Sequence, residues 1–244
     1  MKKVALVTGA SRGIGRAIAR QLSHDGFDVA VHYHKSEADA NSLCEEIRLC
    51  GGVAHAYGCD LVDGAAVNAM IDTIVQEMGP VSVLINNAGF AQQKLFTDIS
   101  YDEWRRMMAV HVDGAYFTCH AVLPDMIRNH SGCIINISSM WGQIGASCEV
   151  HYSTAKAALI GMTKALAKEV GPAGIRVNCV APGVIQTDML ADFDTATLDA
   201  LADEAPLCRI GTPTDVAAAV SFLVSDRAGF ITGQVLGANG GFVI

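Results

Sequence analysis

Two side chains in the stretch HYSTAK, Tyr152 and Lys156, are of types that can handle a proton together. They lie four positions apart in a segment of helical periodicity, so both are expected on one helix face, one turn apart. A tyrosine has an ordinary pKa of about 10, and a nearby cation lowers that pKa. As a purely structural pair they would contribute only about 0.2–0.5 kcal/mol, a weak reason to place a lysine on an apolar face. We therefore interpret them as a proton donor and the cation that tunes it.

The elements that must position this pair are short apolar runs alternating with longer helical patterns. Runs nearly continuous in Val, Ile and Leu indicate strands buried on both faces, as in a parallel sheet covered by helices. We expect an α/β fold, a single-domain doubly wound (Rossmann) parallel sheet of about seven strands with helices on both faces, over residues 1–244. The predicted strands are 3–8, 28–33, 53–58, 81–86, 133–138, 175–181 and 234–238. The predicted helices include 13–25, 38–50, 64–78, 101–128 and 151–170.

The first predicted strand leads into TGASRGIG (8–15), and a predicted helix follows. Gly9, Gly13 and Gly15 permit a tight turn and a close approach to a pyrophosphate, which binds where a helix N-terminus presents free N–H groups. Their spacing, Gly-x3-Gly-x-Gly, differs from the GxGxxG pattern typical of dinucleotide sites. The strand–turn–helix context nevertheless favours dinucleotide binding.

The same residues also satisfy GxSxG, the nucleophile elbow of α/β-hydrolases, with Ser11 as the nucleophile. That elbow normally follows several strands and requires a histidine late in the chain. Here it follows the first strand, and no histidine occurs after His151. The context therefore disfavours a hydrolase.

The end of the second predicted strand bears on the choice of cofactor. NAD sites usually have an acidic residue about 20 positions after the glycines, which binds the ribose 2′-hydroxyl. The segment here reads His32-Tyr33-His34-Lys35 and contains no acid. Arg12 and Lys35 are instead available for a 2′-phosphate, which favours NADP(H).

Composition excludes several classes of function. A net charge of −8 gives no basic footprint for nucleic acid. No apolar run reaches 18 residues, so a membrane span is not expected. The eight cysteines form no CxxC pair, so we expect no metal site and reduced thiols in a cytoplasmic protein.

The predicted helix 151–170 is apolar on its second side too, at Ala157, Gly161 and Ala165, which indicates a homo-oligomer, a tetramer or a dimer.

Six motifs in order make the chain resemble the short-chain dehydrogenase/reductase family along nearly its whole length. They are TGASRGIG (8–15), Asp60-Leu61, NNAG (86–89), Ser139, YSTAK (152–156) and PGVIQT (182–187). Within that family the chain is similar to the 3-oxoacyl-acyl-carrier-protein reductase group. The resemblance implies NADPH-dependent reduction of a ketone, here a 3-oxoacyl thioester, to a secondary alcohol, with acyl carrier protein as partner.

The resemblance also implies a role for each motif. Tyr152 would donate a proton to the carbonyl oxygen, Lys156 would supply charge and bind the nicotinamide ribose, and Ser139 would hold the oxygen. Ser138 is the competing neighbour, and the spacing of 13 residues to Tyr152 favours Ser139. With Arg12 and Lys35, the expected cofactor-binding residues are Gly9, Ser11, Arg12, Gly13, Ile14, Gly15, Lys35, Asp60, Leu61, Asn87, Ala88, Gly89, Tyr152, Lys156, Pro182, Gly183, Ile185 and Thr187.

One position departs from the family pattern. Where the family has an asparagine that helps a water chain reach the lysine, this sequence has His111. A histidine can relay protons and bind water, so His111 is a candidate fourth member of the catalytic set. A histidine that only packs in the core is the alternative, and a dinucleotide-binding sensor without turnover is the corresponding non-enzymatic hypothesis.

A second resemblance concerns the substrate side. The segments AQQKLFTDI (91–99) and SSMWGQIGASCEVHYS (138–153) are similar to a bacterial branch that reduces a 5-aminopentanone group on elongation factor P. Trp141, Gln143 and Glu149 would then contact the substrate together with Ser139 and Tyr152, and the Glu149 carboxylate suits an amine. In either case residues 189–207 are expected to form a helical lid over the substrate.

Overall fold

A single parallel sheet of seven strands forms the centre of the molecule, as described by a computed structural model for residues 3–190 and 194–244. The strand order is β3-β2-β1-β4-β5-β6-β7, and all neighbouring strands are parallel. The chain direction across the sheet reverses between β1 and β4, which creates a crevice at the carboxyl ends of those strands. The strands are β1 Val4–Val7, β2 Asp28–Tyr33, β3 Ala54–Gly58, β4 Val81–Asn86, β5 Gly132–Ile137, β6 Ile175–Pro182 and β7 Val235–Ala238.

Helices cover both faces of this sheet and bury two hydrophobic clusters. In β1, Ala5 and Val7 belong to one cluster, whereas Val4 and Leu6 belong to the other, because alternate side chains of a strand point to opposite faces. The helices are α1 Gly13–His24, α2 Glu37–Leu49, α3 Gly64–Met78, α4 Tyr101–Met108, α5 Gly114–Arg128, α6 Trp141–Ile144, α7 Val150–Val170, α8 Thr195–Glu204 and α9 Pro213–Val224. α1, α2 and α9 pack on the first cluster, and α3, α5 and α7 on the second.

The predicted fold class is confirmed, and each predicted strand is present with its ends within one residue of the expected positions. The single helix predicted over 101–128 is wrong. A π-helical turn over Ala109–Asp113 separates α4 from α5, so one extra residue is inserted between two α-helical segments. That turn carries His111.

The outer face of α7, where the sequence predicts a second copy, is open on the single chain. Ala157, Gly161 and Ala165 are exposed on the single chain, while the opposite face is buried.

Within residues 3–190 and 194–244, no helix combines the length and the apolar character needed to cross a membrane. In the same part of the chain, no group of three or more metal-ligating side chains is positioned to hold an ion.

Candidate active site

The predicted site residues come together at the carboxyl edge of the sheet. The glycine turn follows β1, Asn87–Gly89 follow β4, Ser139 follows β5, and Gly183–Thr187 follow β6. These four strands are adjacent in the order β1-β4-β5-β6, so their ends line the crevice at the reversal point. Lys35 also lies past a strand end, but it is exposed to solvent beyond β2.

Close packing explains the glycines of the turn. Gly9 and Gly13 have φ values of +60° and +56°, a region that residues with a Cβ rarely adopt. A Cβ on Gly15 would lie 2.4 Å from the Gly9 carbonyl oxygen and 2.5 Å from the Asn87 amide nitrogen. Because only glycine fits there, α1 can begin directly against the turn.

Thr8 joins the glycine turn to the end of β4, a link that our sequence analysis missed. Its Oγ1 accepts hydrogen bonds from the backbone N–H groups of Asn87 at 2.9 Å and Ala88 at 3.0 Å. In return, the Asn87 amide donates to the carbonyl oxygens of Thr8 at 2.9 Å and Gly9 at 3.2 Å. The available signal was a threonine placed directly before the first glycine.

The N-terminus of α1 fits an anionic group such as a pyrophosphate. Its N-cap residue, Arg12, makes no side-chain capping bond, and the first turn contains no acidic residue. The N–H groups of that turn are thus not capped by a side chain, and the helix dipole favours negative charge there. Ser11 is buried beside the turn, and Ile14 packs on the core.

Arg12 and Asp60, two predicted cofactor-binding residues, each lie near an ionisable side chain. Arg12 Nη1 lies 3.7 Å from Asp188 Oδ2, but both side chains are largely exposed, so the pair contributes little to stability. Asp60 accepts a hydrogen bond from the Val62 backbone and lies 3.6 Å from His34 Nε2. Leu61, which follows Asp60, is buried in the hydrophobic core.

Lys156 and Tyr152 lie one turn apart on α7, at the inner end of the crevice. Lys156 is only 4% exposed, and its Nζ donates to the Ile137 carbonyl oxygen at 2.8 Å. The Nζ atom is 5.6 Å from the centroid of the Tyr152 ring. Burial lowers the pKa of Lys156 to about 8 because it disfavours the charged form.

The expected lowering of the Tyr152 pKa is not what the structure shows. Burial raises the pKa of Tyr152 to about 12, and the nearby Glu149 carboxylate adds to the rise. A hydrogen bond with Ser139 acts in the opposite direction but does not outweigh the burial. Tyr152 is therefore a protonated phenol at neutral pH, with its proton available for transfer.

The two adjacent serines have different environments. The Ser138 hydroxyl donates to the Lys156 carbonyl oxygen at 2.8 Å, so it anchors β5 to α7. Ser139 Oγ accepts a hydrogen bond from the Trp141 backbone at 3.2 Å and is a partner of the Tyr152 hydroxyl. The geometry thus puts Ser139, rather than Ser138, beside the phenol.

His111 reaches the same place from the π-helical turn. Its ring lies edge-on to Tyr152, with centroids 5.6 Å apart, and its Nε2 is 2.9 Å from the Phe90 carbonyl oxygen. A Cβ on Gly89 would lie 2.2 Å from His111 Cε1, so only glycine fits beside the ring. Burial lowers the pKa of His111 to about 3, and the charge of Lys156 adds to that effect. The imidazole is neutral at physiological pH, and its Nδ1 has no hydrogen-bond partner among the described residues.

Comparisons with known proteins identify the family of this chain. A family model described as Enoyl-(Acyl carrier protein) reductase matches residues 9–243. The chain is 41% identical over 241 residues to the 3-oxoacyl-[acyl-carrier-protein] reductase FabG of Staphylococcus aureus, covering 99% of this chain and 98% of the relative. The chain belongs to the short-chain dehydrogenase/reductase family. It is therefore an oxidoreductase by family.

Two further relatives show the breadth of the similarity. The FabG protein of Aquifex aeolicus is 41% identical over 240 residues, covering 98% of this chain and 96% of the relative. An uncharacterized oxidoreductase of Bacillus subtilis, YmfI, is 41% identical over 243 residues and 99% of both chains. A relative described as a 3-oxoacyl-[acyl-carrier-protein] reductase and one described as an uncharacterized oxidoreductase are thus equally identical, at 41%, to this short-chain dehydrogenase/reductase.

On the substrate side, hydrogen bonds join the segment after β4 to the start of α7. Gln93 Nε2 donates to Glu149 Oε1 at 3.3 Å, and Gln92 Oε1 lies 3.1 Å from His151 Nε2. Burial raises the pKa of Glu149, a residue that is only 8% exposed. The two sequence segments that are similar to the elongation factor P branch are therefore in direct contact in this dehydrogenase/reductase.

Of the other predicted substrate residues, Trp141 packs against a residue near the C-terminus. The Trp141 ring is perpendicular to that of Phe242, with centroids 5.7 Å apart, whereas Gln143 is exposed. Phe242 and Ile185 also line a cavity of about 470 Å³, which α8 borders through Leu201. Of the predicted lid, residues 191–193 lie outside the described residues, and α8 supplies the helical part.

Proposed function

We propose that this chain reduces a ketone to a secondary alcohol with NADPH, and that a 3-oxoacyl thioester is the substrate. The observation that carries the proposal is the meeting of Ser139, Tyr152 and Lys156 beside the glycine turn, on the ends of adjacent elements. It supports carbonyl reduction because that reaction requires a proton for the oxygen and a stable position for the developing negative charge.

Each side chain has a defined task in this proposal. Tyr152 gives its phenolic proton to the carbonyl oxygen, and the hydroxyl of Ser139 donates a hydrogen bond to the same oxygen. The Lys156 ammonium group stabilises the tyrosinate that remains and restores its proton through exchange with solvent. The nicotinamide, when bound, supplies the hydride that adds to the carbonyl carbon.

We place His111 beside Ser139, Tyr152 and Lys156 in this mechanism. Its neutral imidazole contacts the Tyr152 ring. With the ring proton on Nε2, toward the Phe90 carbonyl oxygen, Nδ1 has no partner among the described residues and can accept a hydrogen bond from a water molecule on the route to Lys156. Replacement by asparagine, the family residue, should preserve turnover. His111→Leu should reduce turnover, and equal rates for both variants would reject the role.

The residues around the turn fit a dinucleotide. Gly9, Gly13 and Gly15 allow the backbone to approach it, α1 offers N–H groups to the pyrophosphate, and the side chains after β4 and β6 extend toward the nicotinamide end. NADPH is proposed over NADH because residues 32–35, at the end of β2, contain no acid, and because Arg12 and Lys35 are exposed cations near that edge.

The test is the loss of reduced-nicotinamide absorbance with acetoacetyl thioester, with NADPH and NADH assayed separately. We expect oxidation of NADPH well above that of NADH. A crotonyl thioester serves as the comparison substrate, since it offers a C=C bond in place of the ketone. Reduction of crotonyl thioester alone would reject carbonyl reduction, and NADPH binding without any turnover would favour the non-catalytic sensor.

A second candidate is reduction of a 5-aminopentanone group on elongation factor P. The observation that favours it is Glu149, a buried carboxylate close enough to Tyr152 to raise its pKa, with the neutral Gln93 amide as its hydrogen-bond partner. A cationic amine would satisfy this carboxylate. The test is mass spectrometry of ketone-bearing elongation factor P after incubation with NADPH, in which Glu149→Gln should lose activity on this substrate but keep activity on acetoacetyl thioester.

We also propose that residues 1–244 act as one domain in a cytoplasmic homo-oligomer. The exposed small residues of α7 support the oligomer, since they offer a flat apolar surface for a second copy. The names of the FabG relatives support acyl carrier protein as the partner of the first candidate.

A further inference from the structure

His32, a buried residue of β2, is hydrogen-bonded through both ring nitrogens to two different turns. Its Nδ1 accepts from the Gly9 backbone N–H at 3.0 Å, and its Nε2 lies 3.0 Å from the Cys59 carbonyl oxygen. The His32 carbonyl oxygen also accepts from the Ala10 backbone N–H at 2.9 Å. The side chain is 2% exposed, so these contacts are shielded from water.

The two partners determine the protonation state of the ring. The Gly9 N–H can only donate, so Nδ1 must present its lone pair, and the Cys59 carbonyl can only accept, so Nε2 must carry the proton. Burial lowers the pKa of His32 to about 4, which keeps the imidazole neutral at physiological pH. Both nitrogens are thus satisfied in one tautomer.

The ring connects the glycine turn, which the proposed function assigns to the cofactor, to the segment after β3, where the family resemblance places Asp60 at the cofactor. Gly9 begins the glycine turn and has a φ of +60°, while Cys59 immediately precedes Asp60 at the end of β3. A Cβ on Gly9 would lie 2.9 Å from Ala88 Cα, so this residue is packed against the end of β4 as well. A shift of Gly9 would therefore move the turn relative to both neighbouring strands.

We propose that His32 is a positioning residue for the dinucleotide, which holds the Gly9 N–H and thereby sets the glycine turn in its binding conformation. The inference rests on the proposed function, because it assumes that this turn binds NADPH. His32 itself makes no contact with the cofactor in this account. Its effect is transmitted through the Gly9 hydrogen bond.

Two variants of His32 separate the two hydrogen bonds. In His32→Asn, Oδ1 stands as many bonds from Cβ as Nδ1 does in histidine, so an acceptor for the Gly9 N–H is kept. In His32→Gln, the longer side chain brings an amide to the position of Nε2 and leaves the Gly9 N–H without its acceptor. His55→Gln is the matched control, since His55 is an exposed residue of the adjacent strand β3.

Titration calorimetry with NADPH gives the primary result. His32→Gln should raise the Kd by about tenfold, as expected for one unsatisfied buried donor, whereas His32→Asn should stay within about threefold of the unmodified chain. The KM for NADPH should rise in His32→Gln, and the KM for the ketone should not. Thermal melts of both variants separate this effect from unfolding.

Four results would overturn the inference. One is an unchanged Kd in a folded His32→Gln variant, and another is a loss in His32→Asn as large as in His32→Gln. If His32→Gln does not fold, the Kd for NADPH of His32→Asn is compared with that of His55→Gln. A tenfold higher Kd in His32→Asn would then contradict the role. If the unmodified chain does not bind NADPH, the proposed function fails and this role fails with it.

Discussion

At the scale of single residues, burial is the dominant influence on the protonation states of the site. It raises the pKa of Tyr152 to about 12, and lowers those of Lys156 to about 8 and His111 to about 3. Near neutral pH, Tyr152 thus retains its proton, Lys156 is mostly charged and His111 is neutral. This is the combination that proton donation to a carbonyl oxygen requires.

The pKa of Lys156 leads to a pH prediction for the reduction. Below pH about 8 the ammonium group is charged, and it loses that charge as the pH rises through its pKa. The kcat/KM for the ketone, which reports on the free enzyme, should fall about tenfold one pH unit above the pKa, while Tyr152 remains protonated. Lys156→Arg should move this fall to higher pH, since arginine keeps its charge.

The pH profile is measured with NADPH at fixed ionic strength. A kcat/KM that stays level to about pH 10 would contradict the role of the lysine charge. A profile that falls in the same place for Lys156→Arg would assign the fall to a different group.

At the scale of elements, a buried polar network fixes α5 and α7 on the sheet. The Asn86 amide in β4 donates to Asn136 Oδ1 in β5 at 2.9 Å, and the Asn136 amide donates to Thr163 Oγ1 in α7 at 2.9 Å. The Thr118 hydroxyl of α5 donates to Asn86 Oδ1 at 2.7 Å. These contacts tie together the elements that carry Ser139, Tyr152 and Lys156.

Removal of the central residue tests the network. Asn136→Ala leaves the buried Asn86 amide with Cys119 Sγ, a weak acceptor at 3.3 Å, in place of Asn136 Oδ1, and should lower the free energy of unfolding by about 1–3 kcal/mol. Thr154→Ala is the control, because Thr154 is exposed on α7 and bonds only within its own helix. Urea unfolding midpoints are compared, and equal shifts in the two variants would show that the network does not hold the helices.

The strands and the Tyr152–Lys156 pair could be predicted from sequence because their signals are local. A run of Val and Ile identifies a buried strand, and a spacing of four places two side chains on one helix face. The π-helical turn could not be predicted, since AVHVD continues an ordinary helical pattern. The turn places the His111 ring between Phe90 and Tyr152, contacts with residues distant in sequence that the helical pattern does not specify.

The positioning contacts of His32 and Thr8 could not be predicted from the sequence, for the same reason in both cases. His32 bonds to residues 23 and 27 positions away, and Thr8 bonds to residues about 80 positions away. Such contacts depend on strand order and register, which sequence periodicity does not specify.

The helix α9, which was not among the predicted helices, was identifiable from sequence, because Thr212, Pro213 and Asp215 form a capping box with proline at the start.

At the scale of the whole molecule, the outer face of α7 should be the contact between copies. A Cβ on Gly161 would meet nothing within 4 Å, so the single chain has room for a side chain there. We expect the unmodified chain to form a tetramer or dimer. The Gly161→Arg variant should form an assembly of lower mass, because burying its charged side chain against a second copy is unfavourable when no opposite charge pairs with it.

Light scattering on eluted protein measures this difference in mass. Glu45→Arg is the control, since Glu45 is exposed on α2, away from α7. An unchanged mass for Gly161→Arg would place the contact on another face, and a monomeric unmodified chain would remove the oligomer from the account.

The most direct measurement of the central claim compares Tyr152→Phe with the unmodified chain for both NADPH binding and ketone reduction. The substitution removes only the hydroxyl, so the Kd for NADPH should change little. Reduction of acetoacetyl thioester should fall by about 10²–10⁴-fold, the range expected for loss of a general acid. Reduction at nearly the original rate would show that Tyr152 is not the proton donor and would contradict the account.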